Sequence, residues 1–179
     1  MKNKFLLILA VLLIAASFGS VFAQTPPNPN LVKNGDFARF AKEWPNWPFD
    51  WSPTWKGGDG YEPVKTENGR CIGYAENLFS FTLSQNITGL SKGKYSLSAD
   101  FRLNPDSVVE DIKMNVYAGK DLLKSKSIRA ELFAAEKETD VRFELADIQV
   151  NGAVVRIEFA GTNIKKYIGI DNVVFIKTK

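Results

Sequence analysis

Leu78 to Leu103 reads LFSFTLSQNITGLSKGKYSLSADFRL, and its spacing decides the fold class. Phe81, Leu83, Gln85 and Ile87 fall on one face of an extended chain, with Ser80, Thr82, Ser84 and Asn86 on the other. After Gly89-Leu90-Ser91-Lys92-Gly93 the pattern resumes: Tyr95, Leu97, Ala99, Phe101 and Leu103 alternate with Ser96, Ser98, Asp100 and Arg102. Period two marks strands with one buried and one wet face. Two antiparallel strands joined by that glycine-flanked turn are the expected arrangement.

Outward from this stretch the same signal recurs. Ile112, Met114, Val116 and Ala118 alternate with Lys113, Asn115 and Tyr117; Leu122 to Ile128 reads as a strand; Val141, Phe143 and Leu145 alternate with Arg142 and Glu144. Asn151-Gly152 marks a turn before Val155, Ile157 and Phe159, and Asp171-Asn172 interrupts the apolar run Ile168 to Ile176 as a bulge would. Arg129 to Lys137 has helix-like composition. On the N-terminal side, Leu31 to Phe37 (LVKNGDF) reads as a first strand and Phe40 to Tyr61 as a long loop holding all four tryptophans. Eight or nine short strands in residues 31–179 predict an all-β protein, a two-sheet antiparallel β-sandwich.

Residues 1–23 stand outside that domain. Lys2 and Lys4 precede the apolar run Phe5 to Ala16, and Val21-Phe22-Ala23 offers small residues for cleavage, the layout of a secretory signal peptide. The run is too short to span a bilayer, so no membrane span is expected after cleavage. Gln24 to Asn30 (QTPPNPN) is a proline-rich lead that stays extended. The protein is thus expected to be exported, bacterial, and periplasmic, cell-surface or extracellular.

Composition narrows the chemistry. The chain of 179 residues has no histidine, one cysteine and a formal charge of +3, of which the leader carries two lysines. Histidine-based triads, dyads and zinc sites are excluded, and the near-neutral mature charge carries no nucleic-acid signature. Cys71 has no partner for an internal disulfide and reads as a small buried side chain. Asp and Glu are scattered over outward strand positions and loops, so no catalytic residue is assigned.

The segment WPNWPFDWSPTW (44–55) packs Trp44, Trp47, Trp51 and Trp55 among prolines, with Tyr61 nearby. Rigid aromatic planes of this kind either plug the end of a sandwich or offer a pre-ordered stacking surface. Trp44, Trp47, Trp55 and Tyr61 are candidate ligand contacts. A second candidate platform is the outward sheet face, where Asp100, Arg102, Lys113, Asn115, Tyr117, Arg156 and Glu158 could share one surface, with Tyr117 for stacking and Arg102 for hydrogen bonds. The alternative is a solvated face with cross-strand ion pairs.

Three stretches in order, LVKNGDF (31–37), FTLSQNITGL with GKYSLSA (81–99) and IDNV (170–173), resemble the galactose-binding-like jelly rolls that serve as carbohydrate-binding modules. With IQVNG (148–152), the middle stretch looks most like the galactan-binding modules appended to galactanases. The resemblance implies a jelly roll that binds a polysaccharide, galactose-containing by this likeness, without catalysing a reaction, in association with secreted glycan-degrading enzymes, and it implies that Trp51 packs inward, as a tryptophan beyond the first strand does in the resembling modules. It also implies a structural Ca2+ near the first and last strands, with Asp36 and Asp171 as the side chains to test, although Ala38 stands where relatives carry a carboxylate. The alternatives are a cell-envelope structural or protein-interaction module and a small glycan-active hydrolase or lyase. Mass spectrometry of the exported protein is expected to find a chain beginning at Gln24; an intact Met1 would refute cleavage.

Overall fold

In chain order the strands are β1 (Ser52–Gly57), β2 (Val64–Glu67), β3 (Arg70–Thr88), β4 (Gly93–Leu103), β5 (Asp111–Ala118), β6 (Asp121–Ile128), β7 (Val141–Val150) and β8 (Val154–Lys177). They come from a computed structural model that describes residues 28–42, 46–59, 64–133 and 139–179. β3 and β8 far exceed the others in length. They pair antiparallel along most of β3, from Cys71 opposite Ile170 to Thr88 opposite Val154.

This ribbon folds over on itself. Near Cys71–Ala75 and Lys166–Ile170 it is flanked by β2 on the β3 side and by β4, then β7, on the β8 side. Near Phe79–Thr88 and Val154–Ile164 it is flanked by β1 on one side and by β5, then β6, on the other. Between the halves, the register slips at Ala75/Phe79 and Phe79/Phe81, and β8 carries Asn163 and Lys166 at φ of 47° and 70°. Such bulges bend and twist a strand. Two layers result: layer I (β2, the first half of β3, the second half of β8, β4, β7) and layer II (β1, the rest of β3 and β8, β5, β6). Backbone pairing is continuous through both.

The inward faces meet as period two requires. Phe81, Leu83 and Ile87 of β3, Tyr95 to Leu103 at alternate positions of β4, and Ile112, Met114 and Val116 of β5 are all buried. Phe101 of layer I meets Phe159 of layer II edge-on, with ring centroids 5.6 Å apart. Each such buried aromatic or aliphatic side chain contributes about 1.5–3 kcal/mol of transfer free energy. The open margins of β6 and β7 are joined by Lys126, whose Nζ donates to the Glu144 carbonyl at 2.8 Å and stands 5.9 Å from the Phe143 ring centroid. A lysine on an edge strand also discourages pairing with other chains.

The sandwich is as expected, but several local expectations are corrected. β3 and β4 are not hairpin partners: Gly89 to Lys92 carries the chain from layer II to layer I, and each strand pairs with β8 instead. Leu31 to Phe37 is a turn-rich segment, tied to β8 by Leu31 N–H to Phe175 O and Val173 N–H to Gly35 O, both 2.9 Å. The tryptophan loop contains β1. The described part of Arg129 to Lys137 holds a 3-10 turn, Ala130–Leu132, while 134–138 lie outside the described residues.

Gly161 sits at the centre of layer II, opposite both Phe81 and Ile112. A Cβ there would stand 2.5 Å from Phe81 Cε1 and closer still to the Ile164 methyl. Gly161→Ala is therefore expected to cost about 1–3 kcal/mol through overpacking, read as a lower thermal or denaturant midpoint. An unchanged midpoint would mean the layers can separate locally at no cost.

Candidate functional site

Asn34 and Gln85 order the segment that carries the tryptophans. Asn34 adopts φ 50°, which asparagine tolerates better than most residues, and its amide donates to the carbonyls of Arg39 (2.7 Å) and Phe49 (3.0 Å) and accepts from Arg39 N–H (2.9 Å). Gln85, on the buried row of β3, accepts from Lys33 N–H (2.8 Å) and donates to the carbonyls of Lys33 (2.8 Å) and Asp50 (3.1 Å). The backbone groups of Lys33, Arg39, Phe49 and Asp50 that these bonds engage thus have side-chain partners at this end of the sandwich.

The tryptophans divide. Trp51 is 6% exposed, packs against Phe37 (5.3 Å) and Phe159 (6.0 Å) and donates its indole N–H to Asn34 O (3.1 Å), which is the inward role expected of it. Trp47 is 40% exposed. It meets the half-buried Trp55 of β1 at a centroid distance of 6.2 Å and an interplanar angle of 66°. The pair therefore offers an exposed ring braced edge-on by a second, not two co-facing planes. Trp44 and Tyr61 lie outside the described residues.

Thr54, Lys56, Ser80, Thr82 and Thr162 line a shallow hollow of about 270 Å³ on the outward face of layer II, whereas Trp55, in register with the buried Phe81, belongs to the inward row of β1 and packs against the margin of the core. Register continues that face across the layer, from Thr54 beside Thr82 and Ser84 beside Glu158 to Asn115 and, next to Arg156, Tyr117. Glu158 is 8% exposed although it points outward, because Arg156 Nη1 (3.1 Å) and Asn115 Nδ2 (3.3 Å) cover its carboxylate. Ser125 Oγ donates to Asn115 Oδ1 at 2.6 Å, and the Thr54 and Thr82 hydroxyls share a 2.7 Å hydrogen bond. The Arg156 guanidinium stands 4.5 Å from the Tyr117 ring centroid, a cation–π geometry. Partial burial, helped by Glu158, pushes the Tyr117 phenol above its ordinary value.

Asp100 and Arg102 do not belong to this surface. The single shared face expected from the sequence is split, because β4 pairs with the half of β8 in layer I while β5 pairs with the half in layer II. Their companions on the outward face of layer I come from stretches that strand spacing alone did not connect. Asp140 forms a two-point pair with Arg70, whose Nη2 is also 3.7 Å from Asp171 Oδ2. Arg142 donates to Asp100 (2.8 Å) and to Ser98 Oγ (2.7 Å), and Asn172 donates to Asp100 (2.9 Å).

The two carboxylates considered for calcium are occupied differently. Asp36 accepts the Ala38 N–H at 3.3 Å in an exposed turn, whereas Asp171 faces Arg70 and accepts the Asn172 N–H at 2.7 Å. A cation at Asp171 would have to share that carboxylate with a guanidinium. Among the described residues no group of three or more His, Cys, Asp or Glu could hold a metal ion. Calcium needs six to eight oxygens, and this donor set does not fit the site that the resemblance implies. Among the described residues, no helix is long and apolar enough to cross a membrane.

No protein-family model and no curated protein matches the chain. Solved structures share its fold. The module TmCBM61, solved in complex with β-1,4-galactotriose, matches with a TM-score of 0.60 at 16% identity over 83% of this chain and 99% of that one. A CBM4 module matches with a TM-score of 0.54 at 16% identity over 82% and 99%. The enzymatically active domain of tailspike protein 4 from bacteriophage CBA120 matches with a TM-score of 0.56 at 17% identity, over 83% of this chain and 21% of that one. The chain has the β-sandwich fold of carbohydrate-binding modules.

The charges on layer I respond to pH in opposite senses. Hydrogen bonds from Arg70 hold the Asp140 carboxyl below its ordinary 3.8, so its contribution is present above that value and lost as pH falls through the lowered one. Burial raises the Asp171 carboxyl above 3.8, so the fold gains as that proton is taken up. Asp140→Asn is expected to cost about 0.2–1 kcal/mol near neutral pH, with the gap to wild type closing below pH 3.8. A gap that stays constant into strong acid would exclude the ion pair as its cause.

Proposed function

We propose that this chain is an exported, non-catalytic carbohydrate-binding module that holds a polysaccharide across the outward face of layer II. One observation carries the reading: that face sets hydroxyl, amide and carboxylate groups in a row from Thr54 and Thr82 to Glu158 and Asn115, with the Tyr117 ring at the β5 margin and the exposed Trp47 ring beside edge strand β1. Four adjacent strands, β1, β3, β8 and β5, span it, which at 4.7–4.9 Å per spacing is about 14 Å. Sugar rings combine a C–H face that stacks on aromatics with a rim of hydroxyls that both donate and accept. The face supplies both, with its polar groups already held by their neighbours, which lowers the ordering cost of binding.

A galactose-containing chain is the first ligand to test, supported by the sequence resemblance and by likeness of fold to a module solved with β-1,4-galactotriose. The non-catalytic assignment is supported by the lack of histidine and by Glu158, whose carboxylate is engaged by Arg156 and Asn115. Secreted polysaccharide-degrading enzymes are the expected companions.

Tryptophan fluorescence of residues 24–179, titrated with galactan, arabinogalactan, xylan and mannan, tests the reading. A saturable change with at least one glycan is expected. Trp47→Ala and Tyr117→Ala should each weaken it roughly tenfold, about 1.4 kcal/mol, without changing the unfolding midpoint. No response to any of the four, or a response untouched by both substitutions, would shift the assignment to a protein-interaction module.

A further inference from the structure

On the opposite side of the sandwich, the outward face of layer I holds a hollow of about 240 Å³ lined by Glu67, Asn68, Arg70, Ile72, Arg102 and Tyr167. Ile72 points outward, in register with Gly169 and, through it, Arg102, yet it is only 5% exposed. It forms an apolar floor. Gly169 is what allows the walls: a Cβ there would lie 2.6 Å from Arg70 Cδ and 2.9 Å from the Tyr167 hydroxyl. Only a residue without a side chain lets those two groups lie across the strand.

Stability alone does not account for this grouping. Ion pairs on a wet sheet face are worth little, and sheltering charges costs desolvation. Here Arg70 is held in place by Asp140 and Asp171, and the walls come from four strands and a turn. Burial raises the Tyr167 phenol and the Asp171 carboxyl, while hydrogen bonding to Arg70 lowers the Asp140 carboxyl. Shifted groups gathered at a hollow are a feature of functional sites.

The charges choose the ligand class. Arg70, Arg102 and Lys65, the last paired with Glu67 at 3.1 Å, are balanced by Glu67, Asp140 and Asp171, so the hollow presents donors and acceptors without a cationic field to attract an anion. An apolar floor, a phenol wall and a mixed polar rim match a neutral sugar ring. We propose that this hollow is a second carbohydrate site, taking one neutral hexopyranose, a chain end or a branch, on the face opposite Tyr117. It shares no residue with the layer II face and does not rest on that assignment.

The test follows the backbone amides of Asn68 and Gly169 by NMR while residues 24–179 are titrated separately with galactose, glucose, mannose and glucuronate. A saturable shift in the millimolar range with at least one neutral hexose is expected. Arg102→Met and Gly169→Ala, the latter pushing Arg70 and Tyr167 out of place, should each weaken it at least tenfold while spectral dispersion stays native, and Trp47→Ala should leave it unchanged. No shift with any neutral hexose, a shift with glucuronate alone, or loss of the shift in Trp47→Ala would overturn the proposal. Failure of the layer II assignment reads out separately, as a missing tryptophan response to polysaccharide with the monosaccharide shift intact.

Discussion

The pairing of β3 with β8 is the constraint on which the rest of the structure depends. Each strand enters both layers, so bending this one ribbon at the Ala75–Phe81 irregularities places β1, β2, β4 and β5 beside one half or the other, with β6 beyond β5 and β7 beyond β4. The bend also brings Phe101 against Phe159 and so creates the apolar interior. A sandwich built this way has no independent sheets to slide past each other, since they share two backbones. The small residues near the bend follow from it: Gly161 has Phe81 and Ile164 within contact, and Gly73 has Ile168 and Phe79 at 3.0 Å from where its Cβ would be.

Polar groups do two kinds of work in this fold. Gln85 and Asn34 are joined to backbone, and they hold the irregular segment that ends in Trp51 against the open end of the core. The outward networks, Glu158 with Arg156 and Asn115 on layer II and Arg70 with Asp140 and Asp171 on layer I, instead hold side chains to side chains. Such networks contribute modestly to stability in water, but they fix donors and acceptors in place. That rigidity is what a surface needs to recognise a hydroxylated ligand without a large ordering cost.

Because the layers face away from each other, the two polar surfaces are physically independent. One is broad and open, with the Tyr117 ring at its β5 margin; the other is a small bounded hollow with an apolar floor. A chain interior suits the first and a chain end or branch suits the second. A module with both would engage two points of a branched polysaccharide, or two separate chains, and gain avidity from their linkage.

The strand alternation in 78–103, the buried state of Cys71 and the interruption at Asp171-Asn172 were all legible in the residues, because each depends on local spacing and local chemistry, whereas the inward role of Trp51 came from the family resemblance. What remained hidden was decided at long range. Alternation states which side chains share a face within one strand, but not which strands lie side by side, and so the turn at Gly89 to Gly93 read as a hairpin when it is a crossing between layers. For the same reason Arg102 and Tyr117 looked like neighbours on one platform, while β4 and β5 flank different halves of β8 and turn those side chains to opposite sides of the molecule. The partners of Arg70, some 70 to 100 residues away in Asp140 and Asp171, carry no periodic signal in the sequence; register and the bend of one ribbon bring them together.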